Sequence, residues 1–402
     1  MFLLGILALI VGLIISVALH ELGHLMPAKK FGALVPEYWV GFGPTLYQRR
    51  VGGTTYGIKA ILLGGYVRIL GMFPPGKTAG HRRTLVEEAR LQSAEELAAA
   101  RRQGLTGTPF YQLGTGQKLI IMLGGPVMNL LLSFILTGIV VTGIGWQQPT
   151  TTVSEVVSTT TELGLTGDSA PTPASSAGLQ AGDQIVAWDG HPVEDWSQLQ
   201  TLMEAEPSQV TVDRAGQRLE LDITPLATDQ GPKIGIFPEL ERVHGTVGQA
   251  ASAATGLLTG TVQALVTLPA NLWELTTELA TDAPRDPAGA VSVVGVARLA
   301  GEVSTVSSGL ERVSMLLSLL ASLNMALFVF NLIPLPPLDG GHVAGALWGG
   351  VRNLWARLRR QPRPAPVDTA KMVPLSYGVF LVLIVMSLIL MAADIIKPLE
   401  LF

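Results

Sequence analysis

His20-Glu21-Leu22-Gly23-His24 is an HExxH pentapeptide. On a helix, positions i and i+4 put both imidazoles on one face with the glutamate beside them, the arrangement of a zinc hydrolase whose glutamate is the general base. Catalytic zinc takes three protein ligands and keeps one position for water, so the pentapeptide is one ligand short. The chain has no cysteine, which leaves histidine and carboxylate as the only strong ligands. A second cluster, Asn331-Leu332-Ile333-Pro334-Leu335-Pro336-Pro337-Leu338-Asp339-Gly340-Gly341-His342, offers the missing one. Its prolines forbid regular helix, and prolines and glycines bracket Asp339, so we expect Asp339 to complete the set, with His342 as its competitor. With zinc to polarise a scissile carbonyl and acidify water, Glu21 would take the water's proton and later pass a proton to the leaving amine.

The elements that must position these residues are membrane helices. Of the 402 residues 48% are apolar and 14% charged, with a mean hydropathy of +0.42, too apolar for an ordinary soluble enzyme. A net charge of -4 gives no basic character that would suggest nucleic acid. Four stretches are long enough to cross a hydrocarbon core of about 30 Å: Phe2 to Met26, Leu119 to Trp146, Val313 to Leu332 and Met372 to Ala393. The first lacks a basic start and a small-x-small cleavage site, so it reads as a retained helix rather than a signal peptide. HExxH falls directly after its apolar run, at a depth where an unpaired charge costs at least about 2.5 kcal/mol, which marks the three ionisable residues as functional.

Orientation follows from the basic residues. Lys and Arg number 13 between Pro27 and Lys118, six between Gln147 and Glu311, and six between Arg352 and Lys371, so the first and third connections are cytoplasmic and both termini face outward. The first and third spans then end on the same side, within reach of one another. The middle connection holds 21 acidic residues, as suits an exported domain. Val243 to Trp273 carries no Asp, Glu, Lys or Arg, but polar residues dilute it and Leu258, Val262, Leu265, Pro269 and Leu272 form one stripe. It is expected to lie on the outer surface.

This divides the chain into a first helix with HExxH (1–27), a cytoplasmic and membrane-re-entrant β region with an accessory helix (28–117), a second helix (118–147), a folded module (151–240), an amphipathic helix and strand region (243–311), a third helix with the Asp-Gly motif (312–345), a basic linker (346–371) and a fourth helix (372–396). From Tyr38 to Met72, turns alternate with short apolar runs as in hairpins packed at the membrane face. Leu85 to Arg102 reads as a solvated helix and Ala290 to Val296 as a strand. Asn129 reads as a helix-packing residue and Asp394 as lying at the outer interface.

The module contains Ala177-Gly178-Leu179-Gln180-Ala181-Gly182-Asp183-Gln184-Ile185 and resembles a bacterial PDZ domain, which implies peptide binding or gating; a spacer without a ligand is the other reading. With HELGH in the first span, Asn-x-x-Pro-x-x-Pro-Leu-Asp-Gly-Gly after the third and this module between, the chain resembles the site-2 protease family, in particular its RseP-like bacterial branch. Gly124-Gly125-Pro126-Val127-Met128-Asn129 is similar to that family's second span, and Leu63-Gly64-Gly65-Tyr66-Val67 to its membrane-re-entrant hairpin, which implies substrate binding at Gly64 and Gly65. The resemblance implies a bacterial plasma-membrane protease acting on a single-span protein, often an anti-sigma factor already cut once. A substrate helix must unwind before cleavage, because its carbonyls are committed internally; Asn331 is placed either to bond that freed backbone or to cap the broken third span. Two other functions share these features: a PDZ-bearing scaffold without catalysis, and an HExxH membrane peptidase of another family.

Overall fold

The computed structural model describes residues 2–75, 84–162, 169–228, 231–281, 291–306, 309–362 and 364–397. The chain forms two compact units, one from residues 1–144 with 246–402 and the other from 145–245.

In the first unit α1 (Phe2–Lys30) runs unbroken through HExxH and stops where Gly32 turns left-handed, at φ 69°. Two strands follow, β1 (Glu37–Val51) and β2 (Thr54–Arg68), joined through Gly52 and Gly53, both at positive φ as a tight two-residue turn requires. They form one long curled hairpin rather than several. Pairing runs from Val51 with Thr54 to Thr45 with Lys59, and β2 then bends round so that Glu37–Val40 are flanked on one side by residues 55–58 and on the other by 65–68. Gly57 permits the curl, since a Cβ there would stand 2.1 Å from the Trp39 ring. The Tyr38 hydroxyl donates to the Ala18 carbonyl at 2.7 Å and ties the sheet to α1.

Next come α2 (Leu85–Arg102), started by a capping box of Thr84 and Glu87, and α3 (Thr115–Gly138), prolonged by a π-helical turn at Ile139–Ile144. The helix α2 is not simply solvated: Leu97 and Ala100 pack on Leu34 and Leu70, and Glu96 pairs with Arg68 at 2.7 Å.

The second unit is an antiparallel sheet in the order β7-β6-β4-β3-β8, with β5 pairing on β4. Its elements are β3 (Trp146–Val156), α4 (Pro173–Ser176), β4 (Gln184–Trp188), β5 (His191–Pro192), α5 (Trp196–Leu202), β6 (Ser208–Arg214), β7 (Gln217–Ile223) and β8 (Ile236–Val243). Ile185, Trp188, Leu199, Val210 and Val212 make its core. The motif around Asp183 is explained by the backbone. Gly178 and Gly182 sit at φ 77° and 92°, Leu179 and Ile185 point into the core, and the Asp183 carboxylate accepts from the Gln180 amide and from Arg214 through two nitrogens.

Burial raises the Asp183 pKa, but the Arg214 guanidinium and the Gln180 amide outweigh it and hold the carboxyl below the usual aspartate range. A carboxyl depressed in the folded state contributes stability above its unfolded value and loses it as pH falls through the folded one. Residues 145–245 carrying Arg214→Met should therefore melt several degrees below wild type at neutral pH, with the gap closing at strongly acidic pH; an equal gap at both would remove the pair from the account.

The first unit resumes with α6 (Val247–Ala280), α7 (Val293–Val306), α8 (Gly309–Asn331), α9 (Asp339–Leu358) and α10 (Val373–Ile396). By length and composition five described helices could cross a membrane, α6 being the weakest at a hydropathy of 1.3 against at least 2.1 for the others. Two expectations are corrected. The strand expected at Ala290 to Val296 is not one: its described residues lead into α7, because Asp394, buried at the end of α10, accepts from the amides of Ser292 and Gly295 and caps a helix there. The basic linker expected at 346–371 is helical as far as Leu358, since α9 starts at Asp339 and continues past the glycines.

Candidate metal centre

The helix α1 is the hub of the site. On one side α3 crosses it with backbones almost touching: a Cβ on Gly23 would lie 2.3 Å from the Gly124 carbonyl oxygen, and one on Gly124 would lie 2.0 Å from that of Gly23. On another side α8 runs alongside, with Leu320 over Gly12 and the buried Asn324 amide donating to Ser16 Oγ at 2.9 Å. Past Asn331 the prolines break α8 into turns. A Cβ on Gly340 would meet the Ile333 carbonyl oxygen at 2.2 Å, so only glycine lets α9 begin so close to the end of α8. Asp339 therefore arrives at the first turn of α9 beside the two histidines, where a helix N-terminus favours an anion.

Three ligand atoms converge. His20 Nε2 and His24 Nε2 are 3.2 Å apart, and Asp339 Oδ2 stands 3.4 Å from each. Tetrahedral zinc with bonds of 2.0–2.1 Å requires ligand atoms about 3.3–3.4 Å apart, so the triangle has the dimensions of one face of that tetrahedron. Two further observations fit a cation. Asp339 Oδ2 is buried without a hydrogen-bond partner, and His24 Nδ1 faces the Ile121 carbonyl oxygen at 2.7 Å, which makes that nitrogen the N–H donor and leaves the Nε2 lone pair bare.

Glu21 is half-buried beside the triangle, lining the same cleft as Val67 of β2. Gly65 brings the strand this close, since its Cβ would lie 3.3 Å from Glu21 Cγ. These groups open into a cleft of about 520 Å³ lined by His20, Glu21, His24, Asp339, Asn331 and Tyr66 to Ile69. Ala89, Gln92, Ser93 and Glu96 of α2 form its outer wall. His342 also lines the cleft but is not part of the ligand triangle.

Such an arrangement, with two imidazoles and a carboxylate sized for zinc, a second carboxylate beside them and apolar helices around, suits hydrolysis of a bond brought in from the bilayer. Residues 8–375 match the model of Peptidase family M50. The chain belongs to that family. Over 435 aligned positions, covering all of both chains, it is 31% identical to the zinc metalloprotease Rip1 of Mycobacterium tuberculosis. It is 28% identical to the zinc metalloprotease RasP of Geobacillus kaustophilus, over 81% of this chain and 84% of that one, and 26% identical to the metalloprotease MmpA of Caulobacter vibrioides, over 85% of each. Membership of M50 makes the protein a peptidase and sets aside both the scaffold and the unrelated HExxH enzyme.

Of the residues singled out in the sequence, His20, Glu21, His24, Asp339 and Asn331 meet at one cleft. Gly64 and Gly65 do not line it; Gly65 abuts Glu21, and Gly64, at φ 137°, turns toward the Phe42 ring. Two residues of α3 touch the site, though the sequence reading gave Asn129 a packing role and Gly125 no role of its own. Gly125 leaves the room in which the imidazoles lie, as its Cβ would stand 2.2 Å from His24 Nε2 and 2.7 Å from His20 Nε2. Asn129, buried at 1% exposure, contacts His20 Nδ1 at 3.1 Å. The signals for them were the resemblance of Gly124-Gly125-Pro126-Val127-Met128-Asn129 to the family's second span and a polar residue inside an apolar run.

Proposed function

We propose that the chain is a zinc-dependent intramembrane endopeptidase that cleaves transmembrane segments of single-span membrane proteins. The observation that carries this reading is the triangle of His20 Nε2, His24 Nε2 and Asp339 Oδ2 at the end of an apolar helix. Zinc, when bound, supplies Lewis acidity and acidifies water. Glu21 accepts the proton of the attacking water at its carboxylate and returns one to the leaving nitrogen. Asn331, at the rim of the cleft, bonds the backbone that a substrate helix exposes on unwinding. Residues 65–68 of β2 pair on one edge only, with Val40 back to Glu37. Among the described residues no strand occupies the other edge, so an unwound substrate can lie along it, with Gly64 and Gly65 admitting its backbone.

The protein resides in a bacterial plasma membrane, with termini and the 145–245 unit outside and the cleft toward the cytoplasm. Four spans are favoured over five by the contacts of α6. This helix, about 51 Å long at 34 residues, packs against α3 with its π-helical extension and against α8. Its last turns pack on Leu390 and Ala393 of α10, where Lys397 donates to the Glu278 and Thr281 carbonyls. That contact with the end of α10 and the low hydropathy of α6 support its lying along the outer surface. The 145–245 unit is a PDZ-like gate or peptide binder, and an anti-sigma factor already trimmed outside is the substrate class we favour.

The test is cleavage by the purified protein of a single-span substrate in vesicles, with products mapped by mass. Cuts should fall within the apolar segment, stop on chelation and resume with zinc. Cuts confined to soluble flanks, or cleavage that survives chelation, would overturn the proposal.

A further inference from the structure

Resting on the metal site just proposed, one question is open: what holds His20 in the form that can bind a cation. Its Nε2 must present a lone pair, so its Nδ1 must carry the hydrogen and needs an acceptor. For His24 the acceptor is a carbonyl oxygen that cannot play any other part. For His20 the hydrogen-bonding neighbour of Nδ1 among the described residues is the Asn129 side chain, whose amide nitrogen stands 3.1 Å away while its Oδ1 is buried and unpartnered. An amide presents oxygen or nitrogen at the same place by a half-turn about its terminal bond, and the hydrogen-bond network decides which. With nitrogen inward, Asn129 donates to Nδ1 and drives the hydrogen onto Nε2, into the triangle where His24 Nε2 and Asp339 Oδ2 already converge.

We propose that Asn129 is a positioning residue of the metal site: turned so that Oδ1 accepts from His20 Nδ1–H, it holds His20 in the tautomer whose Nε2 binds the ion. One feature supports this beyond the contact itself. Asn129 lies one helical turn from Gly125, so one face of α3 both makes room for the imidazoles and orients one of them.

The experiment is chelator competition for zinc on the full-length protein, alongside the visible spectrum of the cobalt-substituted form, for wild type, Asn129→Leu, Asn129→Asp and His24→Ala. Asn129→Leu keeps the volume and removes the acceptor, and should weaken zinc about 10–100-fold and alter the cobalt bands. Asn129→Asp offers only acceptors and should hold zinc at least as tightly as wild type with wild-type bands. A packing role predicts that both variants lose zinc together or that neither does, and either result would overturn the inference. If Asn129→Leu fails to fold, Asn129→Asp decides alone, because a donating amide predicts weaker zinc for it. His24→Ala separates the two levels of argument: zinc held unchanged by that variant would place the ion elsewhere and sink the metal site itself.

Discussion

Gly125→Ala is expected to strip the protein of zinc and of cleavage while leaving the helices in place. The added methyl would stand 2.2 Å from His24 Nε2 and 2.7 Å from His20 Nε2, far inside van der Waals contact. The rings cannot swing aside freely, because Ile121 and Asn129 hold their far nitrogens. A displacement of about 1 Å at a reacting centre costs on the order of a hundredfold, and here it falls on the ligands themselves. Gly138→Ala, in the same helix with open space around it, is the control and should behave as wild type. Metal content after purification and turnover of a vesicle-borne substrate report the two effects. Full zinc occupancy in Gly125→Ala would show that the ion does not lie between these imidazoles.

The second large effect separates metal from proton transfer. Glu21→Gln keeps the size and removes the base, so zinc should be retained while cleavage falls about 10²–10⁴-fold. Asp339→Ala removes a corner of the triangle and should lose zinc and activity together. A Glu21→Gln enzyme that still turned over near the wild-type rate would assign the base elsewhere.

The parts of this site that could be read from the sequence are those whose geometry is local or whose chemistry is rare. HExxH declares itself because i and i+4 meet on any helix, and Asp339 because few acids sit among prolines and glycines beside an apolar run. The contacts of Gly125 and Asn129 with the imidazoles stayed hidden for the opposite reason. A glycine reads the same whether it lets two helices approach or two imidazoles fit, and only the crossing of α1 and α3 at Gly23 and Gly124 distinguishes them. Val291 to Val296 failed differently. Its β-branched run has strand propensity, but the carboxylate that caps it as a helix comes from Asp394, about a hundred residues further along the chain. The composition of α2 points to solvent, but the turn bearing Leu97 and Ala100 seats it against Leu70, beside the cleft.

The distance along the chain between His24 and Asp339 has a bearing on biosynthesis. A nascent polypeptide whose early segments have left the translocon owns two imidazoles and a base, yet no acid to complete the cage. On the proposed metal site, hydrolytic power would appear only when the segment from Gly309 to Asp339 has been made, inserted and seated through Asn324 against Ser16. A chain cut short of that point would lack its third ligand, and the host bilayer would meet an inert fragment rather than a half-built peptidase.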